Sequence, residues 1–414
     1  MPVPTLSVQL GLDPNSFGNS YFVVGADTDT PTSQPRAVLD NTTFTLGGTF
    51  FTEISSYVKQ LTITRGRSRE LDRYQTGTAN ISFKNQDRTF DPSNTASTLY
   101  PNIVPRREIR ITSGGSAIFT GLVDDWDLTY DVSGQSDAYA KCVDGFAVLS
   151  KQALTAFTAT SQPSGSRIGT VLSRSEVAWP ASSRAIDTGQ QTLQADVVAQ
   201  DTNVLQYLQL VEASEPGSFF ISAAGSATFK DRNTAMTVGT VTLADDGSGI
   251  PYVEATVRYG TELLYNRINL TRAGGSVQVA SNAASQAQYG ISTYEDQGLL
   301  IDTDANTLSL ASYLLAQYQQ AELRFDEITV ELSALTAAQQ AQVLARDLTN
   351  VVTVKFTPNR TGSQIVQYCE ILGITHQITP ASHRVTFKLG STFGVAFVLD
   401  SSAYGILDTS TLGF

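Results

Sequence analysis

The sequence predicts a mainly β, α+β fold in which two similar antiparallel β domains flank a small α/β domain. Three observations predict it. Most segments alternate apolar and polar residues with period 2 and are separated by Gly, Asn, Asp or Ser, the pattern of antiparallel strands. Helical periodicity is confined to a few stretches. Two short motifs recur, in the same order, in both halves of the chain.

Taken in order, residues 1–53 read as an N-terminal β extension, with strands at "LSVQLGL" and "SYFVVGA" (20–26). Residues 54–155 form the first β domain, with strands at 59–65, 78–84 and 107–113. Residues 156–250 form the small α/β domain. It opens on the Ser/Thr/Gly/Pro-rich "TAFTATSQPSGS" and carries helical patterns at 166–179 and 201–214. In the second of these, Asp201 or Thr202 is the expected N-cap, and Val204, Leu208 and Val211 share a face. A hairpin follows in "SFFISAAGSATFKDR", with Gly225-Ser226 at its turn, and "LADDGSGIPY" (243–252) closes the domain. Residues 251–392 form the second β domain, with strands at 352–356 and 383–389. Its helix at 307–322 would pack through Leu308, Ala311, Leu315 and Tyr318. A tail, 393–414, follows.

The internal repeat underlies the two-domain reading. "QLTITRG" (60–66) recurs as "RINLTRAGG" (267–275). "IFTGLVDDWDLT" (118–129) recurs as "EILGITHQIT" (370–379). This second pair is preceded by strands "EIRIT" and "VVTVKF" and followed by strands "AYAKCV" and "RVTFKL".

Composition excludes several classes. With 41% hydrophobic and 16% charged residues over 414 positions, the chain is globular, on the order of two to four domains. Its longest apolar runs, such as "FGVAFVL" at 393–399, fall short of the ~18 residues of a membrane helix. No basic segment precedes an apolar core at the N-terminus, so no signal peptide is expected. Cys142 and Cys369 lie far apart and read as buried thiols, which favours a reducing compartment.

Catalytic and metal motifs do not emerge. The only histidines, His376 and His383, make no metal-binding pair by spacing, and His376 reads as a partly buried or surface residue of a strand. "DTDANT" (302–307) has calcium-loop spacing at its start, but Thr307 and Tyr313 stand where the loop needs Gly and Glu, so it reads as a helix-capping turn. Asp124 and Asp125 are strand neighbours and cannot face one another without a bulge. No phosphate loop, nucleophile elbow or dinucleotide fingerprint is present. No cofactor and no metal are expected.

The net charge of −12 argues against DNA wrapping, yet it is uneven: residues 59–110 hold ten Lys/Arg against five Asp/Glu. Within that window Arg65, Arg67, Arg69, Glu70, Asp72 and Arg73 alternate in sign and lack the interleaved aromatics of a stacking platform. Together with Arg106 and Arg107 they are expected to form pairing contacts within or between subunits, rather than to grip nucleic acid.

Residues 56–111 contain "LTITRGRSRELDRYQTGTA", "NQDRTFDP" and "PRREIRI", and "FTGLVDDW" (119–126) and "DGFAVLS" (144–150) follow. This run resembles the opening domain of minor tail proteins of long-tailed (siphovirus) phages, the baseplate-hub or tail-tip hub family. The closing "LDSSAYGILDTSTLGF" is similar to the end of the same proteins. The resemblance implies two tube-like β-barrel domains and a homotrimer at the tail tip. That trimer would join the sixfold tube or distal-tail ring to a threefold tip and line the channel for DNA ejection. The implied partners are further copies of the chain, the distal tail protein ring, the tape measure protein and other tail-tip or fibre proteins. DNA would pass without sequence-specific binding, helped by acidic residues on the lumen. The implied location is the virion, after synthesis in the host cytoplasm, and no enzymatic activity is implied. A sixfold distal-tail ring protein, a tail-associated cell-wall hydrolase and a carbohydrate-binding receptor module are the competing expectations.

Overall fold

In the computed structural model, residues 2–12, 50–132, 134–233, 241–358 and 362–392 are described. The expected strand at 20–26, the run at 393–399 and the closing segment lie outside them.

Alternating sequence becomes alternating burial. The strand Val58–Gly66 buries Leu61, Ile63 and Arg65 and exposes Thr64 on the opposite face. Thirteen such strands join in one sheet. In chain order they are β1 (Leu6–Leu12), β2 (Phe50–Glu53), β3 (Val58–Gly66), β4 (Gln75–Lys84), β5 (Glu108–Ser113), β6 (Ser116–Tyr130) and β7 (Ser136–Val143). They continue as β8 (Val241–Ala244), β9 (Glu254–Tyr259), β10 (Leu323–Glu331), β11 (Val351–Phe356), β12 (Ile365–Thr379) and β13 (Ser382–Ser391). The fold is mainly β and α+β, as the alternation requires.

The strand order shows a duplication. The first unit runs β3-β4-β7-β6-β5-β1 and the second runs β9-β10-β13-β12-β11-β8. Position for position, β6 corresponds to β12, so the repeat of 118–129 with 370–379 falls on equivalent strands, as do its flanking strands. The other repeat does not. The strand equivalent to β3 is β9, whereas Arg267–Arg272 pairs with Gln278–Ser281 and Thr293–Leu299 in a separate three-stranded sheet. That sheet packs on the helix Asp304–Tyr318 and is inserted between β9 and β10, where the first unit has only the arginine loop between β3 and β4. The units also differ in one pairing: β1 is antiparallel to β5, while β8 is parallel to β11.

Two helices deviate from expectation in detail. Val204–Ala213 is capped by Asn203, whose side chain accepts from Gln206 N, rather than by Asp201 or Thr202. Asp304–Tyr318 buries Thr307, Leu310, Ala311, Leu314 and Tyr318, so its packed face is rotated away from Leu308. The "DTDANT" turn does cap this helix, through Thr303. The weaker pattern at 166–179 yields Ser164–Leu172, and Gly225 turns the hairpin of Ser218–Ile221 and Ala227–Lys230.

One continuous apolar core runs under both units and the intervening domain, and a smaller one lies within the insertion. Phe83, Phe90 and Trp126 stack in the first unit, with centroids 4.5 to 6.1 Å apart. Each aromatic buried in this way contributes roughly 1.5–3 kcal/mol. The two histidines are fully inside, contrary to the sequence reading. His376 Nδ1 lies 3.1 Å from His383 Nε2, and Ser113 Oγ lies 3.3 Å from His383 Nδ1. Burial depresses both imidazole pKa values, His383 to about 4, so neither carries charge at neutral pH.

Candidate assembly site

The two units meet along one strand pair, β3 with β12, from Leu61 opposite Ile378 to Gly66 opposite Gly373. This seam requires glycine at its end. Gly66 has φ +109°, and a Cβ there would stand 2.2 Å from Leu372 O.

The arginine loop leaves β3 at this seam, and most of it turns inward. Arg65 is 4% exposed; its Nη2 lies 2.6 Å from Asp347 Oδ1, and Nη1 donates to Ile221 O at 3.4 Å. Asp347 Oδ2 also accepts from Ala223 N at 2.9 Å, so a single ion pair ties β3 to the middle domain and to the loop before β11. The Arg67 guanidinium sits 4.7 Å over the Tyr74 ring and 4.0 Å from Glu370. Burial opposes its charge, but Tyr74, Glu370 and Glu212 outweigh that and hold its pKa up. Glu70 is buried and accepts from Ser391 N at 2.7 Å; burial raises its pKa. Around Arg67 lies a cavity of about 180 Å³, lined by parts of both units, the middle domain and the insertion. There burial pushes Glu212 up to about 7 and raises Glu370 as well.

The rest of the cluster is nearer the surface. Arg69 pairs with Glu262, just beyond β9, at 2.8 Å, with both side chains about half exposed. Asp72 and Arg73 are exposed, and the Asp72 carbonyl faces Arg67 Nη1 at 3.5 Å. Arg106 is exposed with φ +69°, its N–H donating to Val123 O, and half-buried Arg107 accepts from Val123 N. The alternating signs thus describe an intrachain junction at Arg65, Arg67 and Glu70. These three have little surface to offer a neighbouring subunit.

Exposed pairing capacity lies elsewhere, at two sheet edges that the sequence reading did not single out. β12 is paired twice on one edge, with β11 over Ile365–Glu370 and with β3 over Gly373–Ile378. Its equivalent β6 pairs with β5 only as far as Leu122, and among the described residues no strand lies against the same edge from Asp124 to Tyr130. β9, the equivalent of β3, is an end strand of the sheet and, among the described residues, pairs only with β10. Each unit therefore has half of the contact that the seam makes whole. Exposed apolar side chains gather at both places: Tyr130, Val132 and Tyr139 by the first edge, Val253, Tyr259 and Leu323 by the second. The lengths show it: a 15-residue strand beside a six-residue one leaves half its edge without a partner among the described residues.

Asp124 occupies a bulge between Val123 and Asp125. Both aspartates pair with lysines, Asp124 with Lys151 at 3.8 Å and Asp125 with Lys141 at 3.6 Å, and form no dyad. Among the described residues no group of three or more His, Cys, Asp or Glu is arranged to hold a metal ion. No helix among them is long and apolar enough to cross a membrane.

No protein-family model matches the sequence, and no curated protein matches it. Solved structures do match. The 43 kDa tail protein of prophage MuSo2 from Shewanella oneidensis is 14% identical, with 83% of this chain and 94% of that one covered at a TM-score of 0.55. A tail protein from Neisseria meningitidis MC58 is 12% identical, with 82% and 93% covered at a TM-score of 0.57. In fold, this chain is similar to phage tail proteins.

Proposed function

We propose that this chain is a structural phage tail protein, without enzymatic activity, that closes into a trimeric ring at the tail tip. Six similar β units would surround the ejection channel and join a sixfold tube or distal-tail ring to a threefold tip. Tape measure and fibre proteins would be further neighbours. The likeness in fold to tail proteins supports the setting. The observation that carries the ring is the incomplete edge. If β9 of one copy lies against the free half of β6 in the next, every unit gains the contact that β3 and β12 make within the chain, and three copies close with neither of these two edges left over.

The duplication also sets the register. The residue after each bulge, Asp125 in β6 and Gly373 in β12, faces a lysine, Lys141 in β7 and Lys388 in β13. Aligned on these, Thr129 corresponds to Gln377, and Thr256 to Thr62. Thr62 faces Gln377 across the seam, so Thr256 of one copy should face Thr129 of the next. Arg258 then approaches Asp127, a complementary charge.

Paired strand residues bring their Cα atoms to about 4.5–5.5 Å, within disulfide reach. Oxidation of a Thr129→Cys/Thr256→Cys variant should produce a ladder ending in a covalently closed trimer, and neither single variant should cross-link. Monomers alone, or a ladder running to six, would rule out this ring.

A further inference from the structure

The face of the sheet opposite the core has a composition unlike the rest of the chain. Across five adjacent strands, Thr329, Thr386, Thr375, Thr64 and Thr78 stand in register as successive partners. Thr329 and Thr386 are joined through their hydroxyls at 2.9 Å. In the next row, Gln377, Thr62 and Asn80 lie side by side, flanked by Arg384 with Glu331 on one side and by Lys141 with Asp125 on the other. Arg384 pairs with Glu331 at 3.2 Å, and Lys141 is shared by Asp127 at 2.6 Å and Asp125 at 3.6 Å, so one carboxylate is in excess at that end. Alternate residues of the same strands, Leu61, Ile63, Ile374, Phe387 and Ile328, are buried in the core.

The acidity lies elsewhere. The stretches 58–150, 254–259 and 323–392, which supply the sheet's two units, hold seventeen acids and eighteen Lys/Arg, so the chain's net −12 comes from the other segments. These stretches taken together therefore carry no excess of acid.

We propose that this hydroxyl-lined, nearly charge-balanced face is the channel wall and the surface past which double-stranded DNA slides. The inference rests on the ring reading. A ring made by continuing this sheet has one face inward. The other face carries the second layer of strands, the middle domain and the insertion, which need the room outside. Phosphate then meets uncharged hydroxyl and amide groups. With its cations paired there is little counterion release to hold the DNA, and with nearly all of its acids paired there is little repulsion to resist its entry.

Adding cations to the wall tests this directly. The variant Thr64→Lys/Thr386→Lys places two lysines per copy on the threonine row, and Thr375→Lys places one. Each would be purified, its copy number measured, and its retention of linear and covalently closed circular duplex DNA compared at 50 and 200 mM salt. Wild-type rings should retain neither form. The double variant should retain linear DNA, which can thread a closed ring, but not circles, which cannot. With six lysines around the channel, its affinity should fall by roughly 10³-fold between the two salts. Thr375→Lys should show the same preference with a weaker salt dependence, which guards against misfolding of the double variant. Retention of both DNA forms by rings would put the face outside and overturn the proposal, as would retention of neither by folded lysine variants or of DNA by the wild type. Copy number separates these results from failure of the ring reading itself, which would show as the wrong number of subunits.

Discussion

Removing Asp347 should destabilise the chain more than removing Arg65, although Arg65 is the more deeply buried partner. The reason is what each deletion leaves behind. Asp347→Ala strands a guanidinium whose side chain is 2% exposed, with Ile221 O at 3.4 Å as its remaining hydrogen-bond partner, and it also orphans Ala223 N. Breaking a buried pair in this way costs about 3–5 kcal/mol. Arg65→Met instead leaves a carboxylate that is 26% exposed and still accepts from Ala223 N and Leu348 N at 2.9 Å. Loss of one charge-assisted hydrogen bond then costs about 1.5–3 kcal/mol. The double variant should cost less than the sum, since it removes both members of the pair. Urea unfolding followed by tryptophan fluorescence suits the question, because Trp126 reports on the first unit and Trp179 on the middle domain, and Arg65 joins both. Equal costs, the reverse order, or a loss below about 1 kcal/mol for Asp347→Ala would refute the reasoning.

Other perturbations test separate parts of the account. Glu212 has its folded-state pKa raised to about 7, so its contribution is complete below about 4.5 and is lost as pH rises through 7. Stability should therefore decline by on the order of 3 kcal/mol between about pH 4.5 and 7 and level off above that. Glu212→Gln keeps an acceptor for Phe219 N and should flatten that decline, and an unchanged pH profile would remove Glu212 as its source. Gly66→Ala forces a Cβ against the backbone of β12 at positive φ, so it should cost at least about 2 kcal/mol, whereas Gly115→Ala, also at positive φ but with open space around it, should cost less. Asp127→Lys and Arg258→Glu should each weaken the trimer about tenfold in sedimentation, and their combination should recover part of the loss. No recovery would argue against the proposed register.

Much of the fold was legible because strand alternation is a local signal. β3, β4, β5 and β13 stand where period 2 puts them, within one to three residues at each end. The repeat of β6 with β12 was visible because its flanking strands repeat with it. The counterpart of β3 was misplaced, since a Φ-x-Φ-Thr-Arg strand occurs in the insertion and propensity does not say which sheet a strand joins. The sign alternation of the arginine cluster was readable but its direction was not. Arg65 finds its partners 156 and 282 residues away, at Ile221 and Asp347. The same distance hid the histidine pair, which meets across a hairpin that spacing rules for metal sites do not consider. The free edges were missed for a different reason: an unpaired edge is a property of the sheet, visible only once the second unit shows what the first lacks.

The most direct test of the central claim is the mass and projected shape of the purified assembly, by native mass spectrometry and electron-microscope class averages. Three copies forming a ring of six similar lobes around an open channel are expected. Six copies, or a monomer that persists as concentration rises, would contradict the claim.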